Sequence, residues 1–151
     1  MKQSSKHEAG CFCGDVKFTL TGAPELMAYC HCESCRKWSA GPLSAFTLWK
    51  PGALKITQGI DNLAGFDKNP VSGDEVVVSN RVWCKTCGGH VFTDHPAMGL
   101  TDVPAVIIKD LVFSPAIHVN YQERVHGMKD GLPKFKDLPR EAGGSGVELT
   151  E

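Results

Sequence analysis

The chain has 151 residues, which at about one domain per 150 residues predicts a single domain, and its 42% apolar and 22% charged content excludes a disordered chain or a coiled coil. Sixteen Lys and Arg against seventeen Asp and Glu leave a net charge of −1, so the basic footprint of a nucleic-acid binder is missing. No apolar run approaches the ~20 residues that span a bilayer, and Met1 to Gly10 lacks the apolar segment of a secretory signal, which predicts a cytoplasmic protein with no membrane partner.

Taken in chain order, Val16 to Leu20 alternates apolar and polar residues as a half-buried strand does. Glu33 to Ser39 is the one plausible helical turn. Further β-type runs follow at Ala45 to Trp49, Leu54 to Thr57, Val76 to Val78, Val91 to Thr93, Val106 to Ile108 and Ile117 to Val119. Turn signals at Thr21-Gly22, Lys50-Pro51-Gly52, Asn69-Pro70, Ser72-Gly73, Gly88-Gly89 and Ser114-Pro115 interrupt the chain too often for a long helix. The predicted class is mainly β. Residues 1–140 read as one domain, and 141–151 as a mobile tail with too little apolar surface to offset its ordering entropy.

All seven cysteines fall in motifs: Cys11-Phe12-Cys13-Gly14, Cys30-His31-Cys32-Glu33-Ser34-Cys35 and Cys84-Lys85-Thr86-Cys87-Gly88. In a reducing compartment, clustered thiols bind metal more often than they form bridges, and an odd count forbids complete internal pairing. Zinc takes thiolates at about 2.3 Å, and two cysteines with two residues between them can turn both sulfurs inward around a tight knuckle. Gly88 and Gly89 supply the backbone freedom such a knuckle needs. Closed structural zinc sites use four protein ligands and catalytic sites three with an open position. The economical division is therefore Cys11, Cys13, Cys84 and Cys87 in a closed site, with Cys30, Cys32 and Cys35 left open for chemistry. A division that joins Cys84 and Cys87 to the Cys30 cluster is also compatible with the spacing.

Four thiolates on Zn²⁺ sum to −2 and three to −1, and the neighbouring cations Arg36, Lys37, Arg81 and Lys85 are candidates to moderate those charges. His31 lies between two ligands, where strand-like alternation points its side chain away from a metal and predicts a supporting role. His90, His95 and His118 read as packed or surface histidines. Trp38, Trp49 and Trp83 read as core or site walls, because no basic stripe interleaves them.

These motifs resemble those of the glutathione-dependent formaldehyde-activating enzyme family, which includes centromere protein V. The resemblance rests on Gly10-Cys11-Phe12-Cys13-Gly14-Asp15-Val16, Cys30-His31-Cys32-Glu33-Ser34-Cys35-Arg36-Lys37 with Gly41, Arg81-Val82-Trp83-Cys84-Lys85-Thr86-Cys87-Gly88 and, more loosely, Phe113 to Val119. It implies a β-tent zinc fold of small antiparallel sheets, with Cys11, Cys13, Cys84 and Cys87 matching structural ligands and Cys30, Cys32 and Cys35 matching those of a catalytic zinc. The chain departs from the family pattern at Trp83, where phenylalanine is usual, at Ala40 before Gly41, and over Val119 to Val125, where a tryptophan is expected.

The implied activity is that of a carbon–sulfur lyase with two Zn²⁺ per chain, adding a small thiol such as glutathione to formaldehyde or a related aldehyde, or reversing that addition. A zinc held by three thiolates is a poor Lewis acid for a carbonyl but can bind and ionise a fourth thiol. Arg36 or Lys37 would then receive a developing alkoxide or a substrate carboxylate. The rival reading is a non-catalytic zinc module that binds a protein partner.

Overall fold

The computed structural model describes residues 4–68 and 79–151. The predicted strand Val76 to Val78 and the turn signals Asn69-Pro70 and Ser72-Gly73 lie outside them. The described residues form ten strands and one α-helix: β1 (Lys6–Gly10), β2 (Lys17–Thr21), β3 (Leu26–Cys30), α1 (Glu33–Ser39), β4 (Ser44–Trp49), β5 (Leu54–Gln58), β6 (Leu63–Lys68), β7 (Ser79–Cys84), β8 (His90–His95), β9 (Leu100–Pro104) and β10 (Ile117–Val119). The class is mainly β, as the sequence predicts. No helix among the described residues is long and apolar enough to cross a membrane.

The chain groups into two compact units, Met1–Glu25 with Thr47–Val112, and Leu26–Phe46 with Phe113–Glu151. In the first unit, β1, β2 and β5 form a three-stranded antiparallel sheet, and β6 to β9 pair in sequence order as an antiparallel meander. Val16, Phe18 and Leu20, the alternating apolar residues of the predicted strand, are all buried and pack with Trp49, Val91, Val103 and Ile108. Full burial of each large apolar side chain contributes about 1.5–3 kcal/mol. Trp49 is buried completely and donates its indole N–H to Thr47 Oγ1 at 2.7 Å, while Thr47 donates to the Val103 carbonyl at 2.8 Å. No polar atom of that pair enters the core unpaired.

The second unit is built on a parallel pair, β3 with β10, in which Ala28, Tyr29 and Cys30 face Ile117, His118 and Val119. Its interior is unusually polar, with His31, His118 and Lys134 buried beside Ala28, Val119 and Tyr121. Helix α1 starts at Cys32, whose sulfur accepts the Cys35 N–H at 3.3 Å. It ends at Ala40 in the left-handed conformation, φ 52°.

Several expectations need correction. Val106 to Ile108 is not a strand: β9 ends at Pro104, Ala105–Ile107 form a 3₁₀ turn, and the Val106 side chain is exposed. Strands β1, β6 and β9 carry Lys6, Glu8, Asp67 and Asp102 and show little β-preference, so their pairing comes from neighbouring strands. The last residues carry hydrogen bonds to the rest of the second unit. Lys136 N–H donates to the Val147 carbonyl and Leu149 N–H to the Lys134 carbonyl, each at 2.7 Å, and Glu151 Oε1 accepts from the buried Lys134 Nζ at 2.8 Å. Backbone pairing and a buried charge supply here what apolar area does not.

Ala40 holds a left-handed position at a cost of about 1–2 kcal/mol for a residue with a Cβ. Glycine removes that strain but adds unfolded-chain entropy, so Ala40→Gly should raise stability by about 0.5–1 kcal/mol. Urea unfolding checks this, and an unchanged or lowered midpoint contradicts it.

Candidate metal centres

The cysteines gather into two clusters, each within one compact unit. The sulfurs of Cys11, Cys13, Cys84 and Cys87 all lie within 4.8 Å of one another in the first unit, and those of Cys30, Cys32 and Cys35 do so in the second. The four-plus-three grouping is therefore the one the structure brings together, and Cys84 and Cys87 do not join the Cys30 cluster.

In the four-sulfur cluster, Cys11 and Cys13 flank the turn between β1 and β2, Cys84 ends β7, and Cys87 sits in the turn before β8. Cys11 and Cys13 sulfurs are 3.6 Å apart and those of Cys13 and Cys84 3.8 Å apart. Four sulfurs around a tetrahedral ion at about 2.3 Å would be spaced about 3.8 Å apart. Gly88 takes φ +72°, which turns the chain back after Cys87, and a Cβ on Gly89 would meet Cys87 Sγ and Phe12 N, both at 3.1 Å. The first glycine is needed for its backbone conformation and the second for close approach of the two knuckles.

Polar hydrogens converge on these sulfurs. Val16 N–H donates to Cys11 Sγ, Gly89 N–H to Cys87 Sγ, and the Asn62 side-chain amide to Cys84 Sγ, all at 3.3 Å. The Gly89 N–H, the largest influence, helps hold the Cys87 thiol down at about 6. Such donors stabilise thiolate, the form in which cysteine binds metal.

In the trio, Cys30 ends β3, Cys32 caps α1 and Cys35 lies in its first turns. The Cys30 and Cys32 sulfurs beside Cys35 push its thiol far above the ordinary range, and the Cys32 sulfur pushes Cys30 up to about 11. Three thiols this close lose their protons together only if a cation shares the site, so the donor set fits a soft divalent metal. N–H donors relieve the trio: Cys35 N–H to Cys32 Sγ at 3.3 Å, the Asn120 side-chain amide to Cys30 Sγ at 3.6 Å, and the Cys32 backbone to the Cys30 sulfur.

Behind the trio runs a buried hydrogen-bonded chain. His31 Nε2 and His118 Nδ1 share a hydrogen at 2.8 Å, His118 Nε2 donates to Asp130 Oδ2 at 2.7 Å, and Lys134 Nζ donates to Asp130 Oδ1 at 2.7 Å. The imidazoles of His31 and His118 stack, and Tyr121 meets both edge-on. Burial first, then the electrostatic influence of His118, Arg124, Lys134 and Arg36, pushes His31 down to about 4 and keeps it neutral. Burial alone would raise Asp130, but the Lys134 and His118 hydrogen bonds outweigh it and hold the carboxyl below its usual range.

Three of the cations named as charge moderators have partners other than sulfur. Lys37 pairs with Glu33 on the exposed face of α1 at 2.7 Å, Lys85 donates to the Asp61 carbonyl at 3.0 Å, and Arg36 donates Nε to the His31 carbonyl at 3.0 Å. Arg81 is buried on β7. Trp49 is core, while Trp38 and Trp83 are half-buried. The donors to sulfur that sequence reasoning missed are Asn62 and Asn120. The latter is distant from its sulfur in sequence and could have been flagged only by its place directly after β10.

Comparison with known proteins gives consistent results. The sequence profile of the family described as glutathione-dependent formaldehyde-activating enzyme matches residues 6–123. An uncharacterized lyase of Schizosaccharomyces pombe is 23% identical over 83 residues, which are 55% of this chain and 53% of the relative. The chain thus matches about half the length of that curated relative. A crystal structure of a Rhodobacter sphaeroides protein matches with a TM-score of 0.53 at 18% identity, covering 70% of this chain and 90% of the other, and supports the fold.

The chain behind the trio has a measurable pH signature. Asp130 is depressed in the folded state, so its stabilisation is complete above the unfolded carboxyl value of about 4 and is lost as pH falls through the lower folded value. Asp130→Asn should cost about 2 kcal/mol at pH 7 through lost charge-assisted hydrogen bonds. The gap from the parent protein should hold between pH 5 and 8 and narrow below about 4. Urea titrations of both proteins across that range check it, and a gap that does not change with pH contradicts it.

Proposed function

The chain belongs to the glutathione-dependent formaldehyde-activating enzyme family, and on that footing we propose that it is a zinc-dependent carbon–sulfur lyase that joins a small thiol, glutathione-like, to formaldehyde or a related aldehyde, or reverses that addition. The observation that carries the reading is the separation of seven cysteines into a group of four and a group of three. A non-catalytic interaction module would need only closed sites. Among the described residues no fourth His, Cys, Asp or Glu joins the trio.

Cys11, Cys13, Cys84 and Cys87 would hold a structural zinc that ties the β1–β2 turn to the β7–β8 turn, and Cys30, Cys32 and Cys35 would hold the catalytic zinc. When bound there, zinc supplies an open coordination position and favours the ionised form of an incoming thiol. The thiol sulfur forms a bond to the aldehyde carbon as the thiol proton passes to the carbonyl oxygen, and the reverse reaction breaks that bond. Arg36, which among the described residues commits only Nε to a carbonyl, would offer its terminal guanidinium nitrogens to a substrate carboxylate or the developing alkoxide. Lys37 would act at longer range, because Glu33 already pairs with it. His31, held by His118, keeps the segment between two ligands rigid rather than acting as a ligand. A reducing compartment such as the cytoplasm suits all seven thiols.

Elemental analysis of fresh reduced protein should give two zinc ions per chain, and one or none contradicts the division. Cys84 is completely buried in the apolar core and belongs to a cluster that joins distant segments, whereas Cys35 lies on a short helix. Structural zinc contributes on the order of 10 kcal/mol, comparable with the stability of a whole domain. Cys84→Ser should therefore abolish stable folding while Cys35→Ser melts close to the parent, and equal damage from both overturns the assigned roles. Equilibrium exchange between glutathione and formaldehyde, followed by NMR, should be accelerated by the parent protein and lost in Cys35→Ser. No acceleration by the parent with any small thiol overturns the enzyme reading.

A further inference from the structure

We propose that Asn120 is a positioning residue of the three-cysteine centre: its side-chain amide donates to the Cys30 sulfur and sets how much negative charge that sulfur presents to a bound metal. The inference rests on the reading of the trio as a metal centre. It concerns a residue outside the cysteine motifs and 90 positions away from the sulfur it meets.

Three observations carry it. Asn120 has φ 53° and ψ 37° and heads the 3₁₀ turn Tyr121–Glu123, a place where an asparagine side chain ordinarily bonds the next backbone N–H groups. It makes no such cap. Its amide instead donates to Cys30 Sγ at 3.6 Å.

The backbone on both sides is fixed, so this orientation is built in. Asn120 N–H donates to the Asp137 carbonyl at 2.7 Å, and Glu123 N–H donates to the Asn120 carbonyl at 3.0 Å. Cys30 is fixed in turn, because β3 pairs with β10 in a register that sets Cys30 against Val119, the residue before Asn120. One strand end therefore delivers two supports, Asn120 to the Cys30 sulfur and His118 to the His31 ring.

The chemistry follows from charge. Three thiolates on a divalent metal leave it anionic and weaken its hold on a further anionic ligand. An N–H donor draws electron density from one sulfur and offsets part of that effect. Cys32 receives a comparable donor from the Cys35 backbone and Cys30 one from the Cys32 backbone, but the Asn120 donor to Cys30 is a side chain and can be removed.

Asn120→Gly deletes the amide while tolerating the left-handed backbone, which separates the proposed role from a merely structural one. Asn120→Asp keeps the size of the side chain and replaces the donor with an acceptor, and serves if the glycine variant does not fold. Both would be loaded with cobalt and titrated with glutathione. The thiolate-to-cobalt absorption that Cys35→Ser removes should move to longer wavelength in Asn120→Gly and further in Asn120→Asp. The glutathione concentration at half-change should rise about tenfold, the scale typical of supports behind a metal ligand. If Cys35→Ser leaves the parent spectrum unchanged, the trio holds no metal and the underlying reading fails. If the trio binds cobalt but folded variants match the parent in band position and glutathione midpoint, the role of Asn120 is overturned, even if their melting temperatures fall.

Discussion

Crowded thiols impose the governing constraint on this protein. Sulfurs 3.6 to 3.8 Å apart cannot all ionise unless positive charge is delivered among them. Each cluster answers in part with N–H donors: backbone groups from Val16, Gly89 and Cys35, and side-chain amides from Asn62 and Asn120. These are short-range dipoles, fixed by turns and strand ends, and they favour thiolate without the flexibility of lysine or arginine. A soft divalent cation completes the compensation.

The two clusters are embedded differently, and the difference is what separates a fastening from a reactive site. In the first unit, Cys11 and Cys84 are part of the apolar core beside Val16, Val91 and Trp49, so the ligands are also packing residues. In the second, Cys32 caps and Cys35 lies on a seven-residue helix with no buried residues, and of the three only Cys30 is buried. The trio is backed by polar groups instead of an apolar core. The run from His31 through His118 and Asp130 to Lys134 and Glu151 is linked by bonds of 2.7 to 2.8 Å, and within it only His31 Nδ1, at its head, is left without a partner among the described residues. Lys134, almost wholly buried, is tolerated because two carboxylates and a carbonyl receive its hydrogens.

The residues near the C-terminus are consequently part of the second unit's architecture. Their composition offers little to bury, and their contacts are polar: the pairing of Phe135 with Glu148 and the ion pair of Glu151 with Lys134. Composition measures apolar driving force and is blind to the satisfaction of a buried charge.

The sequence by itself determined the class, the helix at Glu33–Ser39, the buried alternation from Val16 to Leu20 and the cysteine inventory, because each depends on local spacing. Cysteines two or three residues apart converge whatever the rest of the chain does, and the family motifs lie on those same segments. The pairing of Cys11 and Cys13 with Cys84 and Cys87 was favoured by ligand counting, but spacing admitted another division, and only the approach of the β1–β2 turn to the end of β7 decided it. Tertiary structure alone also placed Asn120 on Cys30 and His118 on His31, through a parallel pairing of β3 with β10 that no local pattern encodes. Parallel strands need a distant return of the chain, so the partners that tune the trio are set by topology rather than by neighbourhood in sequence.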